Sequence, residues 1–327
     1  MKQKPHCVLV SGVGAVIGYG VIKSLRMSRL PLRIIGIDTD PRAVGFRFAD
    51  LGVRCPFVRS KGYYDFLARL CRRERVSLII PAIEQDVEFH MRRGEELRRE
   101  TGTAISLNTL GAYTIARDKW ETYRFLVRNR IPTPRTALLG EEGRGIGSFR
   151  FPLLIKPRMG QSGKGIVRIE TREEMEYWGR KSLGCILQEH IGREEEEYTA
   201  GVFGKGDGRF AGPIVLKRKL LYGSTFEAEI NEFPRVSSVV ERVARSLKPV
   251  GPTNIQVRVD RGVAKVLEIN PRVSSSCSIK AAFGFNEPEM SVRFFVLGRK
   301  DFRPKPKKGI AVRYIEDLIS IDRRRPS

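Results

Sequence analysis

The chain has 327 residues and carries 60 Lys and Arg against 37 Asp and Glu, a formal net charge of +23. With 41% hydrophobic and 30% charged residues it has the makeup of a folded chain large enough for more than one core, which excludes a disordered or low-complexity protein. No apolar run approaches the roughly 20 residues of a membrane span. The apolar start is broken by glycines rather than shaped as a leader, and the five cysteines are scattered with no CxxC pair. These features argue for a reducing cytoplasm and against a membrane protein, a zinc site or a disulfide framework.

The first third alternates strand and helix. "CVLVSG" (7–12) and "IIGID" (34–38) are short apolar runs ended by turn residues, and "YGVIKSLRMSRL" between them sets Val21, Ile22 and Leu25 at helical spacing. "YYDFLARLCRRERV" repeats that pattern with Tyr64, Leu67, Leu70 and Cys71; the strand "SLIIPA" (77–82), a helix over 86–101 and the short strand "TAIS" follow. This alternation predicts a parallel sheet covered by helices on both faces. A helix is predicted over 116–130, with Trp120, Tyr123, Leu126 and Val127 on one side, ending at the proline-marked "IPTP". From 151 onward the texture is mostly strands joined by glycine turns, with one helix opened by the capping box "TREE" (171–174). An α/β region is therefore followed by an α+β region.

Gly12, Gly14 and Gly18 follow the first strand, and Asp38 ends the second. Two readings fit: a dinucleotide fingerprint with an off-pattern Ile17, or glycines required by tight packing of strand on helix. A second glycine loop, in "LLIKPRMGQSGKGIVRIE" (153–170), lies between two strands and carries Lys156 ahead of Gly160, Ser162, Gly163 and Gly165. Backbone amides of such a loop can wrap phosphate oxygens while a lysine adds a point charge; an ordinary glycine hairpin is the alternative.

"NIQVRVDRGVAKVLEINPR" reads as a hairpin in which alternation puts Gln256, Arg258 and Asp260 on one side of the first strand and Glu268, Asn270 and Arg272 on one side of the second. A three-residue loop at Arg261–Val263 would set Gln256 opposite Glu268, so that Gln256, Glu268 and Asn270 converge as oxygen ligands. A two-residue loop would shift the register by one and turn Gln256 away. Oxygen ligands of low total charge suit Mg²⁺ shared with phosphates, and Arg272 can grip an anion bidentately.

The ordered set "DKW", "FPLLIKP", "GQSGKGI", "LQEHI", "EYTAGVF" and "NIQVRVDRGVAKVLEINPR" resembles the ATP-grasp superfamily, and most nearly the single-chain relatives of the carbamoyl-phosphate synthase large subunit. The resemblance covers nearly the whole chain. It implies a pre-ATP-grasp Rossmann-like domain over 1–115, a small lid subdomain over 116–187 and a C-terminal subdomain with the metal site over 188–327. It also implies ATP with two Mg²⁺, or Mn²⁺ in their place, and ADP-forming C–N (or carboxylate–thiol) ligation through an acyl phosphate. Lys119 and Lys156 match the phosphate-binding cations, and Gly160, Ser162, Gly163 and Gly165 the loop over the phosphates. Gln188, Glu189 and Ile191 match the adenine hinge, and Glu197, in a run of four glutamates over 194–197, the acid that holds the ribose. Gln256, Glu268 and Asn270 match the metal ligands and Arg272 the arginine on the acyl phosphate. Asn254 is placed in the site by alternation, and Lys217 lies on a strand that usually faces the nucleotide.

The partners so implied are a small-molecule carboxylate and an amine, with a homodimer as the usual assembly of related enzymes. The basic charge leaves an acidic carrier protein and nucleic acid open as further partners, though its spread along the chain favours a generally basic surface. The rival reading is a non-catalytic ATP- or RNA-binding protein of the same fold.

Overall fold

The computed structural model describes residues 4–140, 149–160, 164–221 and 223–319, arranged around three sheets. The first is the predicted parallel sheet: β1 (His6–Ser11), β2 (Leu32–Asp38), β3 (Leu51–Arg54), β4 (Leu78–Ile80) and β5 (Ala104–Ile105), in the order β3-β2-β1-β4-β5. Its strands are apolar on both faces because helices cover both. Val8, Val10, Ile34 and Ile80 pack with α1 (Val16–Arg26), while Leu9, Ile35, Ile37 and Ile79 pack with α2 (Tyr63–Glu74) and α3 (Glu84–Thr101).

The glycines at the first strand end serve packing. Gly12 has a φ of +61°, and a Cβ on Gly18 would lie 2.2 Å from the Gly12 carbonyl oxygen. Asp38 accepts from the Gly14 amide at 2.7 Å, so the acid of the dinucleotide reading closes its own glycine loop.

The helix expected over 116–130 is present but begins at Lys119, preceded by a further helix that was not expected. α4 (Leu110–Arg117) and α5 (Lys119–Arg128) meet at Asp118, whose extended backbone and side-chain acceptance from the Trp120 amide make it the cap of α5. A four-stranded antiparallel sheet follows, formed by β6 (Thr136–Leu138), β7 (Leu153–Lys156), β8 (Val167–Ile169) and β9 (Ile186–Glu189) in the order β6-β9-β7-β8. The division expected at residue 187 falls inside β9. Thr171 caps α6 (Arg172–Lys181) through the Glu174 amide, as the capping box predicts.

The third sheet contains β10 (Glu197–Lys205), β11 (Phe210–Leu221), β12 (Ser224–Ile230), β13 (Val250–Asp260), β14 (Val263–Asn270) and β15 (Gly309–Val312), ordered β14-β13-β10-β11-β12-β15. α7 (Pro234–Leu247) packs Val236, Val240 and Val243 against one face; the other packs Ile214, Leu216 and Ile230 against Ile279, Phe285 and Met290 and borders the cavity beyond them. α8 (Cys277–Ala282) and α9 (Glu287–Phe295) return to the first sheet, where Cys277 and Val292 join the core around Val21 and Leu25. No helix among the described residues is long and apolar enough to cross a membrane.

Where these helices meet β10, Lys280 and Glu287 form a fully buried ion pair at 2.7 Å, pressed against Gly201. Removing one partner strands the other charge in the core. Lys280→Met is therefore expected to cost about 3–5 kcal/mol in urea unfolding, with most of it recovered when Glu287→Leu is added.

Candidate active site

A cavity of about 690 Å³ lies between the four-stranded and six-stranded sheets and reaches the start of α1 at Ala15, Val16 and Ile17. From the four-stranded side it is lined by Lys156, Gln188, Glu189 and Ile191, with Lys119 and Gly160 beside them. From the six-stranded side it is lined by Glu197, Asn254, Gln256, Glu268, Asn270 and Arg272. The structure thus brings together most of the residues singled out in the sequence. Gly165 packs against Pro157, between Lys164 and Ile166 of the lining. Ser162 and Gly163 lie outside the described residues.

The hairpin carrying the candidate metal ligands differs from the three-residue loop on which the sequence argument depended. Its loop has two residues, Arg261 and Gly262, both at positive φ (49° and 80°), and Asp260 pairs with Val263. That register alone would turn Gln256 away. A β-bulge corrects it: Val257 pairs with Val266 but Gln256 pairs with Glu268, leaving Leu267 as the extra residue. Gln256 therefore does stand opposite Glu268, and Asn254 opposite Asn270. Asn254 is buried and accepts a hydrogen bond from Thr199 Oγ1 at 2.8 Å. The face presents one carboxylate and two amides, a low-charge set of oxygen donors that fits Mg²⁺ when phosphate oxygens complete its shell.

Alternation along β7 buries Leu153 and Ile155 and turns Lys156 into the cavity. Its Nζ donates to Gln188 Oε1 at 2.7 Å, and Gln188 Nε2 donates to Thr136 Oγ1 at 3.0 Å. Burial pushes the Lys156 ammonium down to about 8; the Glu268 carboxylate opposes that shift, and Lys119 and Arg258 add to it. Lys119 opens α5 and donates from Nζ to the Gly160 carbonyl at 3.1 Å, and its backbone amide donates to the Arg158 carbonyl. Asp118 and Arg158 are joined by an ion pair at 2.5 Å, so the root of the glycine loop is tied to the start of α5.

Glu197 occupies the cavity face, but both its carboxylate oxygens are taken by guanidinium groups. Arg218 donates to Oε1 at 2.7 Å and Arg258 to Oε2. Burial opposes the charge, yet the two cations outweigh it and hold the carboxyl below its usual range. The ribose acid implied by the resemblance is thus engaged by the protein itself.

Lys217 is a correction. It pairs with Glu196 at 2.8 Å, away from the cavity, and its neighbour Arg218 lines the cavity instead. Ile214, Val215 and Leu216, just before it, are all buried, so the strand offers no alternation from which to set the phase of the next two residues.

Arg272 reaches the cavity and is held there by Glu84, the first residue of α3, at 3.0 Å, and by its own donation to the Val273 carbonyl. Glu84 was not singled out in the sequence. Its signal was available: an acid just past a parallel strand, at the carboxyl edge where ligands of such sheets bind. His90 is buried away from the cavity, and burial drives its imidazole down to about 3.

Two family models match the chain. "ATP-grasp in the biosynthetic pathway with Ter operon" matches residues 185–318, and "PylC-like, N-terminal domain" matches residues 9–105. The carbamoyl phosphate synthase large chain of Methanoculleus marisnigri is 23% identical over 261 residues, 74% of this chain and 24% of its own length. The chain spans less than half the length of the curated relatives it matches. Among solved structures, the N5-carboxyaminoimidazole synthetase of Staphylococcus aureus complexed with ADP superposes with a TM-score of 0.73 at 13% identity, covering 94% of this chain and 82% of that one. An L-amino acid ligase from Bacillus licheniformis superposes with a TM-score of 0.67 at 15% identity, covering 94% and 76%. The chain thus shares the fold of these synthetases across more than nine-tenths of its length, and the model described as ATP-grasp matches residues 185–318, the segment that carries the cavity's acid, amides and arginine.

Proposed function

We propose that this protein is an ADP-forming ligase that joins a carboxylate to an amine at the cost of ATP. The observation that carries the reading is the convergence on one cavity of Lys119 from α5, Lys156 from the four-stranded sheet, and Gln256, Glu268, Asn270 and Arg272 from the six-stranded sheet and its end. A nucleotide-binding protein without chemistry has no use for an arginine pinned beside a carboxylate–amide face.

In this reading adenine lies against the Gln188–Ile191 hinge, and Lys119 and Lys156 neutralise the phosphates. Glu268, with Gln256 and Asn270, would hold the two Mg²⁺ of this reading, which would supply further positive charge to the phosphate oxygens. A substrate carboxylate oxygen attacks the γ-phosphorus, giving an acyl phosphate and ADP. The amine then attacks the acyl carbon, and inorganic phosphate leaves with the bond electrons. Arg272 stabilises the mixed anhydride and the oxyanion that follows. The substrates enter from the α1 end of the cavity, beside Ala15–Ile17, Ser274 and Ser275.

Glu84 orients Arg272 from the first domain and touches no phosphate in this scheme. Glu84→Ala is expected to lower substrate-stimulated turnover about 10–100-fold while Mg·ATP affinity stays within about twofold, because a small misplacement of a positioned group weakens chemistry more than binding. Turnover and equilibrium titration measured side by side check it.

The test of the function is phosphate release from Mg·ATP against a library of amino acids and small carboxylates. Release stimulated by one carboxylate–amine pair, with one ADP per amide formed, establishes the ligase. ATP that binds but is never turned over with any pair or with an acidic protein acceptor, together with salt-sensitive RNA binding, overturns it in favour of a nucleotide-binding protein of the same fold.

A further inference from the structure

We infer that the nucleotide site reads base and phosphates but not the ribose hydroxyls, because Arg218 and Arg258 withdraw Glu197 from them; the inference rests on the nucleotide reading above. The three residues form a single row across adjacent strands. Glu197 of β10 pairs in register with Arg258 of β13 on one side, and Arg218 of β11 bonds it from the other. Two rungs further along the same face lies Gln256, beside Glu268, so the row stands next to the metal face, and Arg258 links it to the hinge.

To accept a hydrogen bond from a ribose hydroxyl, a carboxylate needs an oxygen that faces the ligand and is not already saturated by a stronger donor. Both oxygens of Glu197 take charge-assisted bonds from guanidinium groups, which outcompete a neutral hydroxyl. Displacing either arginine would strand a buried cation. Arg218 is only 8% exposed, and the Nε atoms of Arg218 and Arg258 are already buried without a partner among the described residues. Arg258 has little room to swing away. It donates to the Ile191 carbonyl at 3.3 Å, and its Cγ and Cδ would crowd a Cβ placed on Gly192.

The other nearby acids do not replace Glu197. Glu189 also lines the cavity, but it stands beside Gln188 on β9, at the hinge where the reading above places adenine rather than ribose. Glu194 reaches the cavity from an exposed position, where water competes for its oxygens and discrimination is a few-fold at most.

The test is equilibrium titration of the full chain with Mg·ATP, Mg·2′-deoxyATP and Mg·3′-deoxyATP, with no carboxylate or amine present. The inference expects the three dissociation constants to agree within about threefold. A hydroxyl bonded to a free buried carboxylate would instead separate them by about tenfold or more. Arg258→Met, which frees one oxygen of Glu197 while keeping the side-chain bulk, is expected to raise the preference for ATP to about tenfold; Arg218→Met serves if that variant does not fold.

A wild-type preference of tenfold or more that disappears in Glu197→Gln overturns the inference and leaves the nucleotide reading intact. A flat ratio in the arginine variants overturns the assignment to this row. If none of the three nucleotides binds, the nucleotide reading itself fails and the inference falls with it.

Discussion

Replacing Glu268 with alanine is expected to lower ligand-stimulated ATP turnover about 10³-fold or more while leaving the fold intact. On the proposed metal face Glu268 is the single carboxylate, beside the two amides of Gln256 and Asn270. Loss of its charge therefore removes the principal anchor for Mg²⁺, an effect of several kcal/mol on a phosphoryl-transfer step, and each 1.36 kcal/mol is a factor of ten in rate. The side chain is half-buried at the cavity wall rather than in a core, so thermal unfolding of the variant should match the parent within a few degrees. Phosphate release at saturating Mg²⁺ measures the first quantity and calorimetry the second. Turnover within tenfold of the parent would refute the assignment of the metal face.

The second large effect concerns Lys156 and pH. In the free protein burial brings its ammonium down to about 8. Bound phosphates favour the charged form and raise that value again. Above pH 8 the complex therefore holds a proton that the free protein has lost, and affinity falls as pH rises through this window. Mg·ATP is expected to bind about tenfold more weakly at pH 9.5 than at pH 7, with proton uptake visible as a dependence of the binding enthalpy on the buffer. Lys156→Met should weaken binding at pH 7 by about 10²-fold and abolish the slope between these pH values. A parent affinity that does not change from pH 7 to 9.5 would show that Lys156 is not the phosphate contact.

The architecture was legible where hydrophobic periodicity was clean. The strand–helix alternation up to Ile105 produced the parallel sheet, and the shift in texture after 150 marked the antiparallel sheets. The start of α5 was set two to three residues early because a capping aspartate such as Asp118 is also an ordinary surface residue, and the short α4 before it was not read at all. In the site, Lys156, Glu268 and Asn270 were readable from alternation on half-buried strands.

Lys217 was named from the resemblance alone, and Arg218 was not singled out, because β11 is buried over Ile214–Leu216 and offers no period-two signal to set the phase of the next two residues. Glu84 was missed because its partner Arg272 lies 188 positions away, and only the packing of the first sheet against the end of β14 brings them together. The engagement of Glu197 depends on three strands lying side by side, a fact of topology that no local pattern carries.

The extra residue Leu267 gives the hairpin a parity rule. The ligand face is right only when tip residues and bulge residues add to an odd number: two at the tip with one in the bulge, as here, or three at the tip with none. A one-residue change at either place inverts the face and drives the acid into the core, whereas paired changes are silent. Tip length in this hairpin can therefore drift over generations without loss of the site, provided each step at Arg261–Gly262 is matched by one at Leu267.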